Sequence, residues 1–146
     1  MEAKTDIWQF QAQLAEKLLA WSGANIAAGI ALTLLGDRFW RGVGSQSIGW
    51  GAIDALIAAY GLHNARIKAG APDAHTPERQ ARERASLRRL LWINFGLDLV
   101  YVNGGAALAL TRGKQNRFLA GAGWGIVLQG GFLFFFDLLH ALLLGK

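Results

Sequence analysis

The chain contains no cysteine, and proline occurs only twice, as Pro72 and Pro77. Without thiols there are no disulfides, no thiolate metal ligands and no cysteine nucleophile, and composition carries no mark of the redox compartment. With both prolines confined to one short stretch, no other position breaks a helix by removing a backbone N–H. Acidic residues are few, ten against fifteen Lys and Arg, for a formal net charge of +5. That excess accompanies no nucleic-acid reading motif, and no nucleic-acid partner is expected. The basic residues cluster beside the ends of apolar segments, where anionic lipid headgroups would meet them. The opening residues, Met-Glu-Ala-Lys-Thr-Asp, lack the basic and short apolar regions of a cleaved signal peptide, so the first hydrophobic segment is expected to be retained.

Apolar surface is what the chain has in excess. Hydrophobic residues make up 53% of its 146 positions, and the mean hydropathy of +0.25 is high for a soluble domain of that size. Nineteen glycines lie mostly inside the apolar runs, as in closely packed membrane helices. Four long segments stand out, at about 14–35, 48–67, 90–110 and 118–144. Each is close to the ~20 residues that cross a ~30 Å hydrocarbon core. None alternates with period two, so strand readings lose. The second segment is interrupted most, by Asp54, His63, Asn64 and Arg66. After the first comes Phe39-Trp40-Arg41, an interfacial aromatic and basic cluster. Between the second and third the chain is polar, and Thr76-Pro77 marks the start of a short surface helix. The expectation is an all-α, four-span transmembrane bundle, a single membrane domain embedded in the lipid bilayer.

Four spans put both termini and the central loop on one side. That side holds ten Lys and Arg, including Lys4 and Lys146, against five on the other. The bias places the N- and C-termini in the cytoplasm. An internal repeat is also expected, with halves at about 12–68 and 84–144. Lys17-Leu18-Leu19-Ala20-Trp21 parallels Arg89-Leu90-Leu91-Trp92, and Asn25 parallels Asn103; Gly42, Gly44 and Gly51 match Gly121, Gly123 and Gly130 at a constant offset of 79. A duplicated two-helix unit would have halves of like orientation about an axis along the membrane normal. The Gly42-Val43-Gly44 and Gly121-Ala122-Gly123 stretches are read as turns before the second and fourth spans, and Gly121 and Gly125 as a GxxxG contact.

Polar residues inside the apolar segments are the candidate site. Asn94, Asp98 and Tyr101 share one helical face, as do Gln129, Asp137 and His140. Asn25 and Asp54 supply polar positions on the other two helices. A carboxylate in hydrocarbon is costly, so Asp54, Asp98 and Asp137 are expected to face a polar interior. Counting depth at 1.5 Å per residue sets Asp54 level with Gln129, Asp98 and Asn25 near the middle, and His63, Asp137 and His140 near the inner surface. Asp137 and His140, one turn apart, could form a carboxylate-histidine couple. His63 and His140 together are the pair that a bis-histidine haem would need, but histidines on different helices have no diagnostic spacing. No cofactor and no metal is expected.

Gly42-x-Gly44-x-Gln46 with Trp50-Gly51-x-x-Asp54, Leu91-Trp92-x-Asn94 with Leu97-Asp98, and Gln129-Gly130-Gly131-Phe132-Leu133 with Asp137 and His140 resemble an uncharacterised family of small bacterial four-helix membrane proteins. The resemblance covers nearly the whole chain and implies fold and a bacterial inner-membrane location, with no activity to carry over. The functional expectation is a non-enzymatic membrane protein whose buried polar groups bind a ligand, or that acts as an accessory in a homo-oligomer or larger membrane complex. The alternative is a proton-coupled transporter of small solutes acting as a homodimer, with the three aspartates as protonation sites.

Overall fold

The computed structural model describes residues 6–145. Lys4 and Lys146, counted above in the charge bias, lie outside the described residues. The described chain is helical, with no strand: α1 (Ile7–Leu35), α2 (Arg38–Ala69), α3 (Pro77–Leu110), a 3-10 turn (Arg112–Lys114) and α4 (Arg117–Leu143). Three of these helices are long and apolar enough to cross a membrane, namely α1, α3 with the turn that follows it, and α4. At 32 residues α2 is long enough, but it is not among them, because Ser45, Gln46, Ser47, Asp54 and several glycines dilute its apolar content.

Every helix begins at a side chain that accepts from the first free backbone N–H groups. Asp6 Oδ1 takes Trp8 N at 2.9 Å, and Asp37 Oδ1 takes Phe39 N at 2.9 Å and Trp40 N at 3.2 Å. Thr76 Oγ1 takes Arg79 N at 3.3 Å with Pro77 in the first turn, and Asn116 Oδ1 takes Phe118 N at 2.9 Å. The Trp40 and Phe39 N–H groups and the Arg117 guanidinium, 3.0 Å from Asp37 Oδ2, hold the Asp37 carboxyl below its usual range. For Asp6, burial pushes the other way but is outweighed by the Gln80 amide, the Trp8 N–H and nearby His75, so its carboxyl is also held low.

The caps move the helix starts outward from the sequence expectation. Because Asp37 starts α2, the Phe39-Trp40-Arg41 cluster forms its first turn, and Gly42-Val43-Gly44 is helix interior. Because Asn116 starts α4, Gly121-Ala122-Gly123 is helix interior as well. The two expected turns are therefore corrected to packing surfaces. Likewise the expected short surface helix is not separate: with no breaker after Pro77, α3 runs 34 residues without interruption. At 1.5 Å per residue that is about 50 Å, far beyond a ~30 Å core, so its Arg-rich first turns extend past the apolar part.

Two hairpins make up the bundle, α1 with α2 and α3 with α4, and they meet through α2 and α4. Bare glycine backbone is what lets the helices approach. A Cβ on Gly29 would stand 2.7 Å from Gly44 O, and one on Gly44 would stand 2.6 Å from Gly29 O. Gly105 and Gly123 repeat the arrangement at 2.7 and 2.6 Å. Where the hairpins meet, a Cβ on Gly42 would run into Phe118 O, and one on Gly121 into Phe39 O. Large apolar side chains point outward instead, including Leu35, Leu56, Tyr60, Val100 and Phe135.

The end of the bundle where α1 starts and α2 gives way to α3 is closed by a hydrogen-bonded clasp. Trp8 Nε1 donates to Ala74 O at 2.9 Å, Gln80 Oε1 accepts from Ile7 N at 2.9 Å, and Gln80 Nε2 donates to Asp6 Oδ1 and Ala74 O at 2.9 and 3.0 Å. This ties the start of α1 to the loop after α2.

Candidate functional site

Helical periodicity brings the polar faces inward. On α2 the buried positions Ser47, Gly51, Asp54, Ala58 and Ala65 lie along one stripe. On α3 the buried face is Leu91, Asp98, Gly105 and Ala109; on α4 it includes Gln129, Leu133 and Asp137. The small residues in each stripe let the neighbouring helix approach. The aspartates sit between them and are 94% or more buried.

All three carboxyl groups line one cavity of about 230 Å³ that also takes in Asn94. The Asp98 and Asp137 side chains face each other closely enough to share a hydrogen bond when one of them is protonated. Asp54 Oδ2 and Asp98 Oδ2 are shut off from solvent and have no hydrogen-bond partner. Trp50 and Tyr101 meet edge to face across the cavity, with ring centroids 4.9 Å apart, and Phe136 adds a third aromatic wall. Among the described residues none of the lining side chains is Lys, Arg or His. A site lined by acids and aromatic faces, with unsatisfied acceptors and no built-in cation, is suited to hydrogen-bond donors carrying positive charge.

Asn25 and Gln129 form a separate polar pair. Gln129 Nε2 donates to Asn25 Oδ1 at 2.8 Å in a buried setting. Gln129 was expected level with Asp54, but its partner is Asn25, since Gln129 faces α1 while Asp54 lines the cavity with Asp98 and Asp137. Beside this pair, Trp21 stacks on Phe132 with centroids 3.6 Å apart. On the α1 side of α4 the groove is lined by aromatic and aliphatic side chains alone; on the α3 side it holds the acidic cavity.

His140 does not join Asp137. Its Nδ1 lies 2.7 Å from Phe136 O, and because a carbonyl only accepts, Nδ1 carries the proton and donates. Nε2 is then bare, buried and without a partner, with the ring packed against Phe136 and Phe10. Asp137 faces Asp98 instead, so the expected couple is replaced by a carboxyl pair. His63 is exposed on α2 and lies outside the buried polar set. Among the described residues no three His, Asp or Glu side chains are grouped as a metal site.

Trp50 and Phe136 were missed in the sequence. The signal was available, since Trp50 precedes Asp54 by one helical turn and Phe136 is next to Asp137, but aromatic residues in apolar runs are ordinary packing and do not mark a site by themselves.

No curated protein and no solved structure matches the chain. One family model does match, over residues 17–138, a span that reaches into all four helices and contains every carboxyl and amide of the two polar groups though not His140; the chain belongs to this family of unknown function, DUF6992.

Proposed function

We propose that the chain is an integral membrane protein whose four helices all cross the bilayer and which binds a small ligand in the acidic cavity. The observation that carries this reading is the convergence of Asp54, Asp98 and Asp137 on one cavity, with two carboxyl oxygens left without partners. Helix glue needs neither feature, because neutral amides such as the Asn25 and Gln129 pair bond across helices at lower desolvation cost.

Support for α2 as the fourth span comes from its outward side, where Ile53, Leu56, Ile57 and Tyr60 are exposed and apolar. A polar inner stripe with an apolar outer one is how a membrane helix carries an aspartate. The charge bias supports both termini lying in the cytoplasm, and the resemblance to a bacterial family supports a bacterial inner membrane. The reciprocal contacts of Gly42 with Phe118 and of Gly121 with Phe39 support a duplicated hairpin about an axis between α2 and α4. In that reading the two grooves beside α4 have diverged, one apolar throughout and one acidic and kept as a binding site.

The facing carboxyl groups of Asp98 and Asp137 favour a second reading, proton-coupled movement of a small solute, in which ligand and proton compete for the pair. A homodimer or a larger membrane partner would complete such a short protein.

Native mass spectrometry of the protein released from its own membranes tests ligand binding. A bound small molecule is expected with the wild-type chain and is expected to be lost from a folded Asp54→Asn variant. Retention of the same mass by Asp54→Asn, or a wild-type chain free of any adduct, would contradict the proposal.

A further inference from the structure

We propose that the cavity takes the headgroup of an alkylammonium amphiphile, which enters sideways from the bilayer between α2 and α3. This rests on the ligand-binding reading above and adds the chemical class and the route.

Charge and hydrogen bonding choose the headgroup. Three carboxyl groups face the cavity, and no lining Lys, Arg or His among the described residues offsets them. One ammonium balances one carboxylate, so the occupied site would keep protons on the other two carboxyl groups. Asp54 Oδ2 and Asp98 Oδ2 need N–H or O–H donors, since a buried acceptor without one is costly. A primary or secondary ammonium brings both the charge and the donors. A quaternary ammonium brings the charge alone, and an alcohol the donor alone. The rings of Trp50, Tyr101 and Phe136 add the aromatic faces that attract a cation.

Size excludes a drug-sized ligand held whole. The cavity of about 230 Å³ corresponds to the liquid volume of roughly seven or eight waters at ~30 Å³ each. It is smaller than the ~300–1,000 Å³ of sites that enclose a drug-sized molecule. An ammonium head with its first few carbons fits, and the rest of a longer apolar tail must remain outside.

The opening shows where that part would lie. Ile53, Ile57, Leu90 and Leu97 line the cavity and are also 46–59% exposed on the outer surface. They come from α2 and α3, the two helices that flank the bundle's open groove and whose backbones make no substantial contact. The mouth is therefore apolar on both sides and, in a spanning α2, faces lipid tails. The other apolar groove, along α4 by Phe132 and Phe135, carries no buried acid at its base.

Equilibrium binding of radiolabelled octylamine to the full chain in phosphatidylcholine nanodiscs tests the proposal, with empty nanodiscs as background. Saturable binding is expected, with octanol failing to compete and octyltrimethylammonium competing at least tenfold less well. Butylamine, which has the same head and too short a tail to rest between α2 and α3, is expected to be at least tenfold weaker. Asp54→Asn should weaken octylamine at least tenfold. Leu97→Trp, a substitution at an exposed position that leaves every acid in place, should weaken octylamine by narrowing the mouth and leave thermal stability unchanged. Equal binding of butylamine and octylamine would overturn sideways entry by a tailed ligand and point to a soluble amine. Equal binding of octyltrimethylammonium would overturn the role given to the unpartnered oxygens. If no octylamine binds above background while a native ligand still leaves with Asp54→Asn, the chemical class is wrong and the cavity remains a binding site.

Discussion

Gly121→Ala is expected to destabilise the bundle by at least about 3 kcal/mol, the upper range for overpacking a filled interior. The added methyl would run into the Phe39 carbonyl, with the rest of that peptide and the Phe39 Cα close behind. Backbone cannot swing aside as a side-chain tip can, so relief requires moving α2 against α4. That contact joins the two hairpins, and opening it also spreads the Gly42 approach to Phe118 and the packing of Gly125 on Gln46. The matched control is Gly104→Ala, where nothing lies within 4 Å of the added atom. There, replacing glycine in a helix should leave stability unchanged or raise it by up to ~1 kcal/mol. Thermal unfolding of the two variants in the same detergent gives the comparison. If Gly121→Ala unfolds at the temperature of Gly104→Ala, the close crossing of α2 and α4 is wrong.

The Asp98 and Asp137 pair gives the second large effect, and it separates helix glue from a binding site. Asp137→Leu leaves Asp98 buried without a partner and should cost about 1–3 kcal/mol. Asp137→Asn supplies an amide donor to Asp98 in the same place and should stay within about 1 kcal/mol of the wild type. The double substitution Asp98→Leu with Asp137→Leu removes both polar groups. Exchanging a buried pair for well-packed apolar side chains is often neutral or stabilising, so the double variant should be more stable than either single Leu variant. It should nonetheless lose the copurifying ligand. That combination, stability recovered and binding lost, is what a functional carboxyl pair predicts. Costs that simply add in the double variant would show that the two side chains are not coupled.

Much of this architecture is legible in the sequence because lipid imposes length and composition together. The runs ending at Leu35, Leu110 and Leu143 stand out for that reason, and all three aspartates were found by their cost in such surroundings. The Gly-x-Gly stretches were misread for a definite reason. Positions i and i+2 on a helix face nearly opposite ways, so Gly42 approaches Phe118 of α4 while Gly44 approaches Gly29 of α1. Gly121 and Gly123 do the same between α2 and α3. A helix pressed between two neighbours thus has the same glycine spacing as a turn, and no local pattern tells them apart.

Depth was lost through the same error. Starting α2 near Ile48 instead of Arg38 left the first turns of the helix out of the count to Asp54. Counting rise along each helix also ignores which face a residue presents. Gln129 was therefore matched with Asp54, although it faces Asn25. Partner choice between helices depends on rotation and crossing, which a single sequence does not encode in its spacing. The clasp at Trp8, Ala74 and Gln80 joins residues more than sixty positions apart and left no signal that could be read in advance.

Whether α2 carries Asp54 across the bilayer can be decided by labelling single cysteines, since the chain has none of its own to remove. Arg41→Cys, Leu56→Cys and Asp73→Cys place one thiol before, within and after the apolar part of α2, all at exposed positions. In sealed, right-side-out membranes a membrane-impermeant maleimide should label Arg41→Cys at once, Asp73→Cys only after the vesicles are opened, and Leu56→Cys in neither case. Rapid labelling of Leu56→Cys in intact vesicles, or Arg41→Cys and Asp73→Cys reacting from the same side, would contradict a spanning α2 and with it a cavity set within the membrane.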